Sequence, residues 1–146
     1  MAYTIVVGYD GSPQSIKALD TAAEIAKMAP DGQVMIACAQ DRPAPGIGFR
    51  GPEIGVEELW DEVAKRIEAE LELAAGRVRE AGVKVATACT PDRPDAAVVN
   101  IAHDVNARMI VVGTRGSGAR EGQKSVLGST TTKVLHEAGG IPVLVV

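Results

Sequence analysis

YTIVVGYDGSP, residues 3–13, decides how the rest of the chain is read. Its first six residues are mostly β-branched or apolar, as a strand covered on both faces requires. Asp10-Gly11 supplies a turn, Ser12 an N-cap hydroxyl, and Pro13 a first helical residue whose missing N–H costs the helix nothing. The segment predicts a strand, a tight turn and a helix. From Ser12 to about Met28, residues Ile16, Leu19, Ala22, Ala23 and Ala26 recur at helical spacing until Pro30-Asp31-Gly32 stops the pattern.

The same alternation continues outward from this unit. Val34–Ala39 reads as a short strand, and residues 41–55, with three prolines and four glycines, read as a long connecting loop. Val56 to Ala81 has apolar residues at helical spacing and Gly82 after it, which predicts one long amphipathic helix. Trp60 is its packing residue, and charges such as Glu62 and Arg66 form a solvated face. Val83–Thr90 is a third strand, followed by a helix carrying Ala97, Val98, Ile101 and Ala102. Arg108–Gly113 is a fourth strand, Ser129–Ala138 a helix and Ile141–Val146 a fifth strand. Nearly continuous apolar strands joined by helical crossovers predict an α/β fold: a doubly wound five-stranded parallel sheet with helices on both faces. A chain of 146 residues suits a single domain, 1–146.

Composition narrows the function. Fifteen basic and 19 acidic residues leave a formal charge of −4, the wrong sign for a protein that tracks the phosphates of DNA or RNA. Only Tyr3, Tyr9, Phe49 and Trp60 are aromatic, so a base-stacking platform is not expected. No apolar run approaches the ~18 residues of a membrane span and no export signal is evident, which predicts a cytoplasmic protein. Cys38 and Cys89, 51 positions apart, read as buried free thiols. His103 and His136 have no partner at ligand or triad spacing, so neither a metal site nor a catalytic residue is assigned.

In a doubly wound sheet, ligands sit beyond the carboxyl ends of the strands where the strand order reverses. Two loops should open onto that crevice: residues 8–12 and residues 113–129. The second carries Gly113, Gly116, Gly118 and Gly122, and Gly128-Ser129-Thr130 follows at a helix start. Bare glycine backbone, hydroxyls and the positive end of a helix dipole together suit a polyphosphate, although a mobile surface loop with a capped helix has the same composition. Charge favours the first reading. Arg115, Arg120, Lys124 and Lys133 against Glu121 give residues 113–133 a local +3, leaving −7 on the remainder. Asp10 would stand across the crevice, either accepting from a ligand hydroxyl or simply forming its turn. A Walker A loop at Gly118–Ser125 fails because Gln123 separates Gly122 from Lys124.

Four pieces together resemble the universal stress protein family across essentially the whole chain: VVGYDGS at Val6–Ser12, MIVVGTRG at Met109–Gly116, LGSTT at Leu127–Thr131 and PVLVV at Pro142–Val146. The resemblance implies a Rossmann-like fold of the adenine nucleotide alpha hydrolase type and, for the branch carrying G-x2-G-x9-G-[ST], binding of ATP, with Mg²⁺. Gly113 and Gly116 match the first half of that motif and Gly128-Ser129 the last, but eleven residues separate Gly116 from Gly128. Nine residues before Gly128 stands Gly118 instead. Carried over by residue, Gly8, Asp10 and Ala39 lie on the ribose and adenine side, with Val112 and Gly113 under the nucleotide. Arg115 joins them in the basic part of the loop, and Gly116, Gly118, Gly128, Ser129 and Thr130 surround the phosphates. The resemblance also implies a homodimer formed through the terminal strand, 141–146. The expectation is a nucleotide-dependent stress-response regulator, with slow ATP hydrolysis or autophosphorylation at most. The alternatives are a protein-interaction module that has lost ATP binding and a binder of cyclic AMP.

Overall fold

A computed structural model describes residues 2–40, 56–115 and 127–146. The expected loop at 41–55, and Gly116 and Gly118 with it, lie outside the described residues. The elements run β1 (Tyr3–Gly8), α1 (Pro13–Met28), β2 (Gly32–Ala39), α2 (Val56–Glu80), β3 (Lys84–Thr90), α3 (Pro94–Asp104), β4 (Met109–Val112), α4 (Ser129–Glu137) and β5 (Val143–Val145). All five strands are parallel, in the order β3-β2-β1-β4-β5. The chain winds outward one way from β1 through β2 to β3, then crosses back to β4 and β5. The switch point therefore lies between β1 and β4.

Strand alternation divides the core in two. Ile5, Val7, Val34 and Ile36 point to one face, where α1 and α2 cover them with Leu19, Leu71 and Val78. Val6, Ala37, Ile110 and Val112 point to the other, under Val98, Ile101 and Val134 of α3 and α4. Helix α1 presents Ala18, Ala22, Ala23 and Ala26 to the sheet, and these small side chains permit a close approach. The approach is closest at its end: a Cβ on Gly32 would fall 1.8 Å from the Ala26 carbonyl oxygen. Only a glycine fits there. Asp31, with φ +54°, turns the chain into β2, which begins at Gly32 because that residue already pairs with Tyr3.

The two helices on the first face are also tied electrostatically. Arg77 of α2 grips Asp20 of α1 through both carboxylate oxygens, at 2.6 and 2.8 Å, and this holds the Asp20 carboxyl below its usual range. A carboxylate depressed by folding contributes stability that is present above its unfolded pKa and lost as pH falls through the folded one. The melting temperatures of wild type and Asp20→Asn should therefore differ slightly near neutrality and converge below about pH 4, the usual carboxylate range. Thermal melts across pH 2–7 check this.

Candidate functional site

The carboxyl ends of β1, β2 and β4 open onto a crevice of about 680 Å³, within the range of about 300–1,000 Å³ usual for small-ligand sites. On the β1 side the strand ends at Gly8, packed so closely that a Cβ would lie 3.1 Å from Val98 and 3.2 Å from Val112. Asp10 follows, its Oδ1 accepting from the Ser12 N–H at 2.9 Å. Gly11 has φ +80°, which favours glycine, and brings Ser12 into position as the N-cap of α1. Ser12 Oγ accepts from the Ser15 N–H at 3.2 Å, and Ser15 Oγ donates to the Ser12 carbonyl at 2.8 Å. This turn is fixed from within, so the Asp10 wall is preorganised.

On the β4 side, Val112 and Gly113 form the floor. A Cβ on Gly113 would meet Gln14 Cβ at 2.7 Å, so the glycine allows the start of α1 to lie against the end of β4. The two ends of the glycine-rich stretch are joined. The Gly128 N–H donates to the Thr114 carbonyl at 2.8 Å, and the buried Thr131 hydroxyl donates to the Gly113 carbonyl at 2.7 Å. Thr114 is also held to the last strand, its N–H on the Val146 carbonyl at 3.0 Å. Helix α4 then starts at the crevice wall with Gly128 as N-cap and no acidic residue in its first turn. Its first amides and dipole offer positive potential that no side-chain anion of that turn cancels.

The structure brings nine of the eleven expected site residues to this one crevice. Gly8, Asp10 and Ala39 line it from β1 and β2, Val112, Gly113 and Arg115 from β4, and Gly128, Ser129 and Thr130 from the start of α4. Gly116 and Gly118 are not described. Contributors that the sequence did not single out include Tyr9, Thr131 and, from α2, Ile67, Glu70 and Leu71. Glu70 is one of the many charges of the amphipathic α2. Its position between Ile67 and Leu71, which pack against the sheet, is the only signal that it would border the crevice. Burial, then Glu70, Asp10 and Cys38, raise the Tyr9 phenol above its usual pKa, so it stays a neutral donor. The crevice is thus polarised by element, with acidic groups from the β1 turn and α2 (Asp10, Glu70) and positive ones from the end of β4 and the start of α4 (Arg115 and the α4 N-terminus).

The cysteines correct an expectation. Cys38 is half-buried and Cys89 is exposed, both free. β3 is a sheet edge, and near its carboxyl end little of the described chain covers it. Both histidines are on helix surfaces as expected. Among the described residues, no group of three or more acidic, imidazole or thiol side chains could hold a metal ion, and no helix is long and apolar enough to cross a membrane.

A parallel sheet in this order, with a glycine-floored crevice at the switch point and a helix N-terminus beside it, defines a Rossmann-like α/β protein. The chain belongs to the universal stress protein family, which it matches over residues 1–146. It is 32% identical over 147 residues to the universal stress protein YxiE of Bacillus subtilis, with 97% of each chain covered. Its structure superimposes on that of protein MJ0577 with a TM-score of 0.80, at 24% identity over 100% of this chain and 96% of that one. A universal stress protein solved in complex with cAMP is 29% identical, with a TM-score of 0.69 over 100% of this chain and 98% of the other.

Proposed function

We propose that this chain is an ATP-binding regulator of the universal stress type, working in the cytoplasm as a homodimer of one domain, residues 1–146. The observation that carries the reading is the polarity of the crevice, with the phosphates assigned to Arg115 and the amides of Gly128, Ser129 and Thr130. Gly8, Asp10 and Ala39 face the ribose and base, and Val112 and Gly113 lie beneath them. Gly116 and Gly118 complete the cradle in this reading. Aliphatic walls and a small Ala39 suit a purine in a chain poor in aromatics.

Mg²⁺ fits this donor set. It keeps several waters and takes one or two carboxylates beside substrate phosphates, so a dedicated cage of protein ligands is not required. The Ser129 and Thr130 hydroxyls, on the phosphate side, are the protein oxygen donors at hand, with waters completing the shell. When bound, the ion would neutralise phosphate charge. In this reading the role is sensing, with slow ATP hydrolysis or autophosphorylation at most.

Dimerisation is assigned to β5. It is an edge strand of the described sheet, and pairing with its copy across a two-fold axis would cover that edge in both chains.

Native mass spectrometry combined with nucleotide competition tests the reading. A dimer carrying one adenine nucleotide per chain, displaced more readily by ATP than by cyclic AMP, is the expected result. The complex of the 29%-identical relative with cAMP makes cyclic AMP the second candidate, and its preference over ATP would reassign the ligand. A bare chain with no thermal shift on adding either nucleotide would favour an interaction module.

A further inference from the structure

Cys38 and Cys89, far apart in sequence, are register partners on adjacent parallel strands. They also share a sheet face: Cys38 alternates with Val34 and Ile36 on β2, and Cys89 with Val85 on β3, all on the side covered by α1 and α2. As register partners on one face, the two side chains are neighbours across the β2–β3 pair. One is half-buried at the edge of the crevice and the other is open to solvent.

The spacing of parallel strands limits what such a pair can do. Neighbouring strands lie about 4.7–4.9 Å apart, and the Cβ atoms of register partners keep about that separation. A relaxed disulfide draws its Cβ atoms to about 3.5–4.5 Å, so closing one here would pinch the sheet. Two thiolates each about 2.3 Å from a shared ion need only about 4.6 Å between sulfurs, which matches the strands as they stand. No third ligand is grouped with the pair among the described residues. Two sulfurs in register suit a soft ion content with two ligands.

We propose that Cys38 and Cys89 form a two-coordinate thiolate site for a soft monovalent cation of the Cu(I) class, on the face of the sheet beside the crevice. Binding breaks two S–H bonds, forms two S–Cu bonds and releases two protons to solvent, with no change of oxidation state. The site does not depend on whether the crevice holds a nucleotide.

The test is an anaerobic titration of the full chain with Cu(I) in competition with bathocuproine disulfonate, without nucleotide. One Cu(I) per chain withheld from the chelator is expected, with two sulfur neighbours in its X-ray absorption spectrum. Cys89→Ser alters an exposed edge position, and unchanged thermal melting would show that it folds. It should lose at least ~100-fold in Cu(I) affinity, since a two-ligand site keeps one ligand, and Cys38→Ser should lose as much. Chelator that removes all copper from the wild type would overturn the proposal, as would either variant binding copper as tightly as the wild type.

Discussion

Ser129→Asp should abolish most of the affinity for ATP while leaving the fold as stable as before or slightly more so. Ser129 is exposed at the first position of α4, where no acidic residue now interacts with the helix dipole. A carboxylate there is favourable to the helix by about 0.3–1 kcal/mol. The same negative charge faces the place assigned to the phosphates. Two like charges about 4 Å apart repel by several kcal/mol at the effective dielectric of a protein surface, so a loss of at least about tenfold is a conservative expectation. Asn100→Asp, the same charge change on an exposed position of α3, should alter affinity by less than about twofold, because charges beyond a Debye length are largely screened. Isothermal titration together with melting curves separates the two effects. Equal losses in both variants would mean that net charge matters and the α4 N-terminus does not.

Gly32→Ala should be the most damaging single methyl in the molecule. Its Cβ would be placed 1.8 Å from the Ala26 carbonyl oxygen, 2.6 Å from its carbon and 2.9 Å from its Cα. These are backbone atoms of α1, with no flexible side chain to swing aside. Either the end of α1 lifts from the sheet, exposing Ala22 and Ala26, or β2 loses its pairing with Tyr3. Overpacking of a fixed core costs about 1–3 kcal/mol and occasionally more. The upper end corresponds to a fall in melting temperature of roughly 6–12 °C at this chain length. Gly76→Ala makes the opposite case with the same chemical change. Gly76 lies within α2 with nothing inside 4 Å of its virtual Cβ, and an alanine there should stabilise by about 0.5–1 kcal/mol. If both variants melt alike, the close approach of α1 to β2 is wrong.

The contrast between these two glycines shows what the sequence could and could not reveal. Gly32 stands at a predicted turn and Gly76 inside a periodic run, and neither signal tells how close another element comes. Gly32 ended a Pro-Asp-Gly turn signal, so its place as the first residue of a strand was hidden. The element types were legible because strand and helix periods differ and because Ser12-Pro13 and Gly82 carry specific chain-terminating chemistry. Strand order is set by long-range packing, and that is why the cysteines were misjudged: burial of Cys89 depends on β3 being a central strand, and it is an edge. The crevice was legible at its glycines and hydroxyls. Thr131 was not, since its bond to the Gly113 carbonyl spans 18 positions and looks from sequence like one more residue in a helix start. Glu70 required knowing how far α2 reaches along the sheet.

The charge pattern gains meaning from the same geometry. Of the basic residues in 113–133, Arg115 lines the crevice beside the α4 N-terminus, and Asp10 and Glu70 line it from the β1 turn and α2. A ligand with an anionic end and a hydroxyl- or amine-bearing end satisfies both, whereas inorganic phosphate would use half of the site.

Equilibrium dialysis of the wild-type chain against labelled ATP with Mg²⁺ tests that account most directly. Saturable binding of one ATP per chain, weakened at least tenfold by Ser129→Asp and untouched by Asn100→Asp, is the outcome predicted from the geometry. No saturable binding up to millimolar ATP, or binding indifferent to Ser129→Asp, would contradict it.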